Sequence, residues 1–214
     1  MLRKDLTEEE KYNIGVALKK AIKKLAQSDP RTVCLNSAVI FNREEEGYIL
    51  PYLNRRYLVK HCTGEVQPFS DEEGEVSIHL RILFLHYLSE AGGAPLQNEW
   101  ITFKEIPGGQ IYTGPYQKRT IQPLLQNFGE QPEKFMELAE DLGGQRTTFG
   151  DYAVTLHPFP RLPLTFVFWE GDEEFPATAN ILYDASAVDY LPTEDHVLLP
   201  SLIIWEMIAR LGQE

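Results

Sequence analysis

Cysteine is nearly absent: Cys34 and Cys62 are the only two in 214 residues. Two thiols make no disulfide framework, and they predict a reducing, cytoplasmic setting. Long apolar runs are also missing. No stretch approaches the roughly 20 residues that cross a bilayer. The opening "MLRKDLTEEEKYN" holds no apolar signal region, so neither a membrane span nor secretion is predicted. The third absence is one of position. From Leu162 to Ala209 there is no lysine and no arginine, against nine aspartates and glutamates, so this segment carries −9 of the formal −12. A field of that sign repels nucleic acid and anionic lipid, and neither is expected as a partner.

Composition is otherwise that of a globular chain, with 43% hydrophobic and 24% charged residues. The period of the apolar residues predicts a first helix over 7–27, opened by a Thr7–Glu10 capping box, with Lys19, Lys20, Lys23 and Lys24 toward its C-terminal end. Asp29-Pro30 predicts a short second helix. "AVIFN", "GYILPYL" and "RRYLVKH" predict an antiparallel meander, with Pro51 at an edge or bulge. "EVSIHLRILFLHYLSEAGG" is apolar nearly all round, which predicts a buried helix over 76–91. "EWITFKEIP" reads as a strand or a short helical turn. Two helices follow, over 115–129 and 132–144, with Pro123 kinking the first or lying near its start. After Gly150 the period shortens. "YAVTLHPF", "LPLTFVFWE" and "TANILYD" read as strands, the middle one central and buried on both faces. A last helix runs from an N-cap at Thr193 to Leu211. The expected fold is α+β: a single domain over residues 1–214, with an antiparallel or mixed sheet packed by helices and an N-terminal helix within residues 1–28.

Familiar catalytic patterns fail on their own spacing. Gly109 and Gly114 imitate a phosphate loop, but Pro115 and Tyr116 stand where Lys and Ser/Thr are needed. What survives is a candidate anion site at Lys118 and Arg119, near the start of a helix. Glu170, Asp172 and Glu174 alternate as in a calcium loop, yet Phe175 occupies the glycine position and Ile181 the bidentate-glutamate position. Asp184 ends an apolar strand as an aspartyl nucleophile would, but Ser186 replaces the second acid. His61 and Cys62 are adjacent on an extended run and point apart. His79 and His86 are seven residues apart on a helix, about 10 Å of rise and too far for one zinc.

The chemistry concentrates in "WEGDEEFPATANILYDASAVDYLPTED". If residues 170–174 are extended, Glu170, Asp172 and Glu174 face one way. Close like charges raise one another's pKa unless a cation sits among them. The carboxylates then splay into water, pair with Arg55, Arg56, Lys118 or Arg119, or receive a cation from outside. The leading expectation is a non-catalytic binding or accessory module for a cationic ligand or basic protein partner. Its site is Trp169, Glu170, Asp172, Glu173, Glu174, Asp184, Tyr190 and Asp195. The alternative is a divalent-metal-dependent hydrolase built on Glu170, Asp172, Asp184 and His196. No resident metal or cofactor is identified by any motif.

The same stretch resembles the C-terminal signature of an uncharacterised prokaryotic domain-of-unknown-function family, common in anaerobic bacteria and archaea. The resemblance extends upstream through "YILPYLNRRYLV", "ILFLHYLSEAGGAPLQNEWITF", "IPGG" and "YQKRTIQPLLQNFG", over roughly residues 29–200. Some relatives look as though they carry a cysteine-rich, iron–sulphur-like segment. With only Cys34 and Cys62, this chain implies no such cluster. The resemblance transfers no activity and no catalytic residues. It implies one cytoplasmic domain and directs attention to the acidic stretch.

Overall fold

The computed structural model describes residues 8–69 and 75–212, with side chains from residue 13 onward. Thr7 and the Glu10 side chain, and with them the expected capping box, lie outside the described residues. The architecture is α+β, built on two antiparallel sheets. The chain divides into two compact units, Met1–Ala94 with Asp189–Leu191 and Pro95–Val188 with Pro192–Glu214.

In the first unit, α1 (Glu8–Gln27) buries Ala21 and Leu25. Helix α2 (Pro30–Ser37) begins as Asp29-Pro30 predicts. The Asp29 carboxylate accepts the Thr32 amide at 3.0 Å, and proline fills the first turn, where no N–H is required. The meander is β1 (Ile40–Asn42), β2 (Gly47–Tyr52), β3 (Arg55–Lys60) and β4 (Val66–Pro68), adjacent in that order. Pro51 pairs with Arg56 on one side, while β1 reaches only to Ile49 on the other. The missing N–H therefore falls where β2 is locally an edge. Helix α3 (Ile78–Glu90) is capped by Ser77, whose hydroxyl accepts the Leu80 amide. It is buried on most sides, as its pattern predicts. The rings of Tyr52 and Tyr57 lie 5.3 and 4.9 Å from that of Phe84 at its centre.

The second unit holds β5 (Trp100–Thr102), β6 (Gln145–Arg146), β7 (Tyr152–Phe159), β8 (Leu162–Trp169) and β9 (Thr178–Asp184), in the order β5-β9-β8-β7-β6. Strand β8 is central and buried from Leu162 to Phe168. Its one polar side chain, Thr165, shares a 2.7 Å hydrogen bond with the hydroxyl of Thr155 on β7. "EWITFKEIP" satisfies both of its readings, since β5 runs into a 3₁₀ turn over Phe103–Glu105.

The helix expected over 115–129 is α4 (Thr113–Tyr116), a π-helical turn (Gln117–Ile121) and α5 (Gln122–Phe128). Pro123 accounts for the π turn. Its ring would collide with the carbonyl of Arg119, and it has no N–H to offer there. Widening the turn relieves both problems, and the Gln122 amide reaches five residues back to the Gln117 carbonyl. Helix α6 (Pro132–Asp141) presents Phe135, whose ring lies 5.2 Å from those of both Phe166 and Phe168. Helix α7 (Asp195–Leu211) starts one residue later than expected, with Glu194 rather than Thr193 at the N-cap position. The Thr193 hydroxyl donates to the Pro107 carbonyl at 2.8 Å.

Candidate functional site: the acidic turn and its surroundings

Strands β8 and β9 end at the pair Trp169–Thr178, and the residues between them make the acidic turn. The turn is folded rather than extended. Asp172 Oδ1 accepts the amides of Glu174 and Phe175 at 2.8 and 2.7 Å, and the Asp172 amide donates to the Phe175 carbonyl at 2.8 Å. Those bonds place Asp172 inside a tight loop, so Glu170, Asp172 and Glu174 do not form the one-sided row that alternation implies. The Phe175 and Glu174 amides hold the Asp172 carboxyl below its ordinary pKa. Gly171 has no room for a side chain, since a Cβ there would stand 2.5 Å from the Ala177 nitrogen.

Glu170 is fixed at the root of the turn. Its amide donates to Asp151 at 2.8 Å, and its carboxylate accepts the Tyr152 hydroxyl at 2.9 Å. Glu173 and Glu174 are exposed. None of Glu170, Asp172, Glu173 and Glu174 forms an ion pair with a lysine or arginine among the described residues. Two aromatics flank them in the open, Phe175 at 67% exposure and Trp169 at 41%.

The other expected site residues lie elsewhere and serve the fold. Asp184 is buried. It accepts the amides of Gln97, Asn98 and Ser186 at 3.0, 2.7 and 2.9 Å, and the Ser186 hydroxyl at 2.6 Å. Burial raises its pKa, but the Ser186 hydroxyl and the three amides outweigh burial and leave it lowered. Asp195 is buried in the first turn of α7. Tyr190 belongs to the first unit, where its hydroxyl donates to the Ala94 carbonyl and its ring lies 6.0 Å from that of Tyr87. His196 is fully buried, and its carbonyl accepts the Tyr183 hydroxyl at 2.6 Å. Lys118 and Arg119 are exposed on the π turn. No group of three or more His, Cys, Asp or Glu able to hold a metal forms among the described residues.

The sequence model of a family described as "Domain of unknown function (DUF3786)" matches residues 29–205. The chain belongs to that family. Comparison with curated proteins and with solved structures returns no match. The DUF3786 match begins at the cap of α2 and takes in both sheets, the acidic turn and the Asp184 clamp.

Sequence reasoning missed two features of this DUF3786 chain. One is the clamp itself. The signal was the Asp184-Ala-Ser186 spacing, which puts a serine amide and hydroxyl within reach of the aspartate two residues back. The other is a cleft of about 510 Å³ in the first unit, lined by residues between Asp29 and Arg43. Its residues come from a helix start, a strand and the turn after it, and no local spacing unites them.

Proposed function

We propose that the protein is a non-catalytic binding or accessory module that presents the turn Trp169–Pro176 to a cationic ligand or a basic protein partner. The exposure of Phe175 beside carboxylates that have no lysine or arginine partner among the described residues carries the proposal. A solvated loop needs no phenylalanine at 67% exposure. Apolar area left in water costs about 25 cal/mol per Å², which a partner covering the ring recovers. Glu173 and Glu174 supply charge and acceptors, Phe175 the apolar contact and Trp169 a π face for a cation. Asp172 and Gly171 hold the shape. The working compartment we propose is the cytoplasm, on the strength of the free thiols Cys34 and Cys62.

A photo-crosslinking side chain at Phe175 tests this in living cells. The expected result is a discrete adduct with a basic protein, abolished by the Glu173→Lys/Glu174→Lys pair while the far-ultraviolet circular dichroism stays unchanged. An adduct pattern that ignores the charge reversal, or no adduct at all, would sink the proposal. Asp172 is left intact because its loss would disturb the turn itself.

A further inference from the structure

The cleft in the first unit has a composition unlike that of the acidic turn. It is lined by Pro30, Arg31, Cys34, Leu35, Phe41 and Arg43, together with the capping Asp29. Its volume of about 510 Å³ falls within the roughly 300–1,000 Å³ typical of small-molecule sites. One wall is the outer face of α2, where Leu35 stands at 72% exposure. The opposite wall is β1 and the turn after it, which bring Phe41 and Arg43. Phe41 is a fixed platform. Its ring meets Tyr48 edge-on at 5.1 Å and His61 at 6.1 Å, and Tyr48 is itself bonded to His61 at 3.0 Å.

The charges in the cleft are unevenly committed. The Asp29 carboxylate is engaged by the amide and hydroxyl of Thr32 at 3.0 and 2.9 Å. Arg31 and Arg43 form no ion pair with a described residue. Arg31 lies within electrostatic reach of the Asp29 carboxylate and, after Thr32, helps to keep it ionised. Two exposed guanidinium groups beside apolar surface select a ligand with two parts. An oxyanion that offers two oxygens matches the fork of donors on arginine, and an apolar body covers Leu35 and Phe41. Cys34 is a half-buried lining residue, and burial pushes its thiol pKa up. It is a neutral packing surface near pH 7 rather than a nucleophile, so the site is one for binding.

We propose that this cleft binds a small organic anion, with a carboxylate, sulfonate or phosphate-ester head between Arg31 and Arg43 and an aliphatic or aromatic body against Pro30, Leu35 and Phe41. The site is independent of the acidic turn and selects the opposite charge.

Anilinonaphthalenesulfonate, an aromatic anion whose fluorescence rises in apolar surroundings, is a suitable probe, with neutral phenylnaphthylamine as the control. A Cys62→Ser background leaves Cys34 as the one thiol. The expected result is saturable, one-to-one binding of the sulfonate. Maleimide labelling of Cys34 at mildly alkaline pH should slow with the same midpoint. Arg31→Gln/Arg43→Gln should weaken the sulfonate about tenfold or more and leave phenylnaphthylamine unchanged. Both arginines are exposed, and circular dichroism checks that the variant folds. Equal affinity in the glutamine variant, saturation without protection of Cys34, or no saturable binding would each overturn the proposal.

Discussion

Asp184 is a buried carboxylate that ties two segments of the second unit together. Four donors converge on it from the strand end and from the Gln97–Asn98 turn, and Asn98 adopts a left-handed φ of 57° to deliver its amide. Asp184→Asn preserves shape but turns one acceptor oxygen into an amine facing donors. The expected loss is about 1–3 kcal/mol, read from urea unfolding at neutral pH. The folded pKa lies below the ordinary aspartate value of 3.8. On acidification the unfolded chain therefore takes up the proton first. The stabilisation is complete above 3.8 and is lost as pH falls through the folded value. The unfolding midpoint of the natural protein should fall more steeply below about pH 4 than that of Asp184→Asn. In the sequence this residue looks like one more member of an acidic tract. Ser186, two residues on, is the part of the clamp a local pattern offers, whereas the Gln97 and Asn98 amides lie 87 and 86 residues away, a distance no local pattern encodes.

At the scale of elements, the acidic turn separates two kinds of carboxylate. Asp172 organises backbone, and Glu173 and Glu174 face water. Asp172→Ala should speed amide hydrogen exchange at Glu174 and Phe175 by about tenfold, because both amides lose their acceptor. Glu173→Lys should leave those rates unchanged. Equal rates in the two variants would show that the turn is held by its strands alone. The regular elements were legible because their periods are strong: the all-round apolar α3, the unbroken β8 and the Asp29-Pro30 start of α2. Two of the misses were decided by tertiary contacts and a third by a local side-chain bond. β4 is three residues of "VQP" recruited by pairing with β3. Thr193 is tied to Pro107 through its hydroxyl, and the N-cap position of α7 falls at Glu194 instead. The alternation of acids at 170, 172 and 174 implied an extended strand. An aspartate bonding to amides two and three residues on makes a turn from the same letters.

At the scale of the whole molecule, charge is divided between the two units. By sequence the first has 13 Lys and Arg against 15 Asp and Glu, a formal −2. The second has seven against 17, a formal −10. The acidic turn therefore sits on a strongly negative body, and Glu173 and Glu174 are a small part of its field. A field of that reach steers association and is screened by salt. The Debye length shrinks from about 10 Å at 0.1 M to about 3 Å at 1 M. An oligolysine peptide is thus expected to bind at low ionic strength and to weaken at least tenfold between roughly 0.05 and 0.5 M salt. Duplex DNA should give no mobility shift at either concentration, because its phosphates meet the same repulsion. Lowering the pH from 7 toward the sequence pI of about 4.9 should weaken oligolysine binding as carboxylates protonate. Glu173→Lys/Glu174→Lys should remove only part of the salt dependence, since most of the field remains. Salt-independent oligolysine binding would instead place the recognition in apolar contact at Phe175 and leave the body's charge without a part in it.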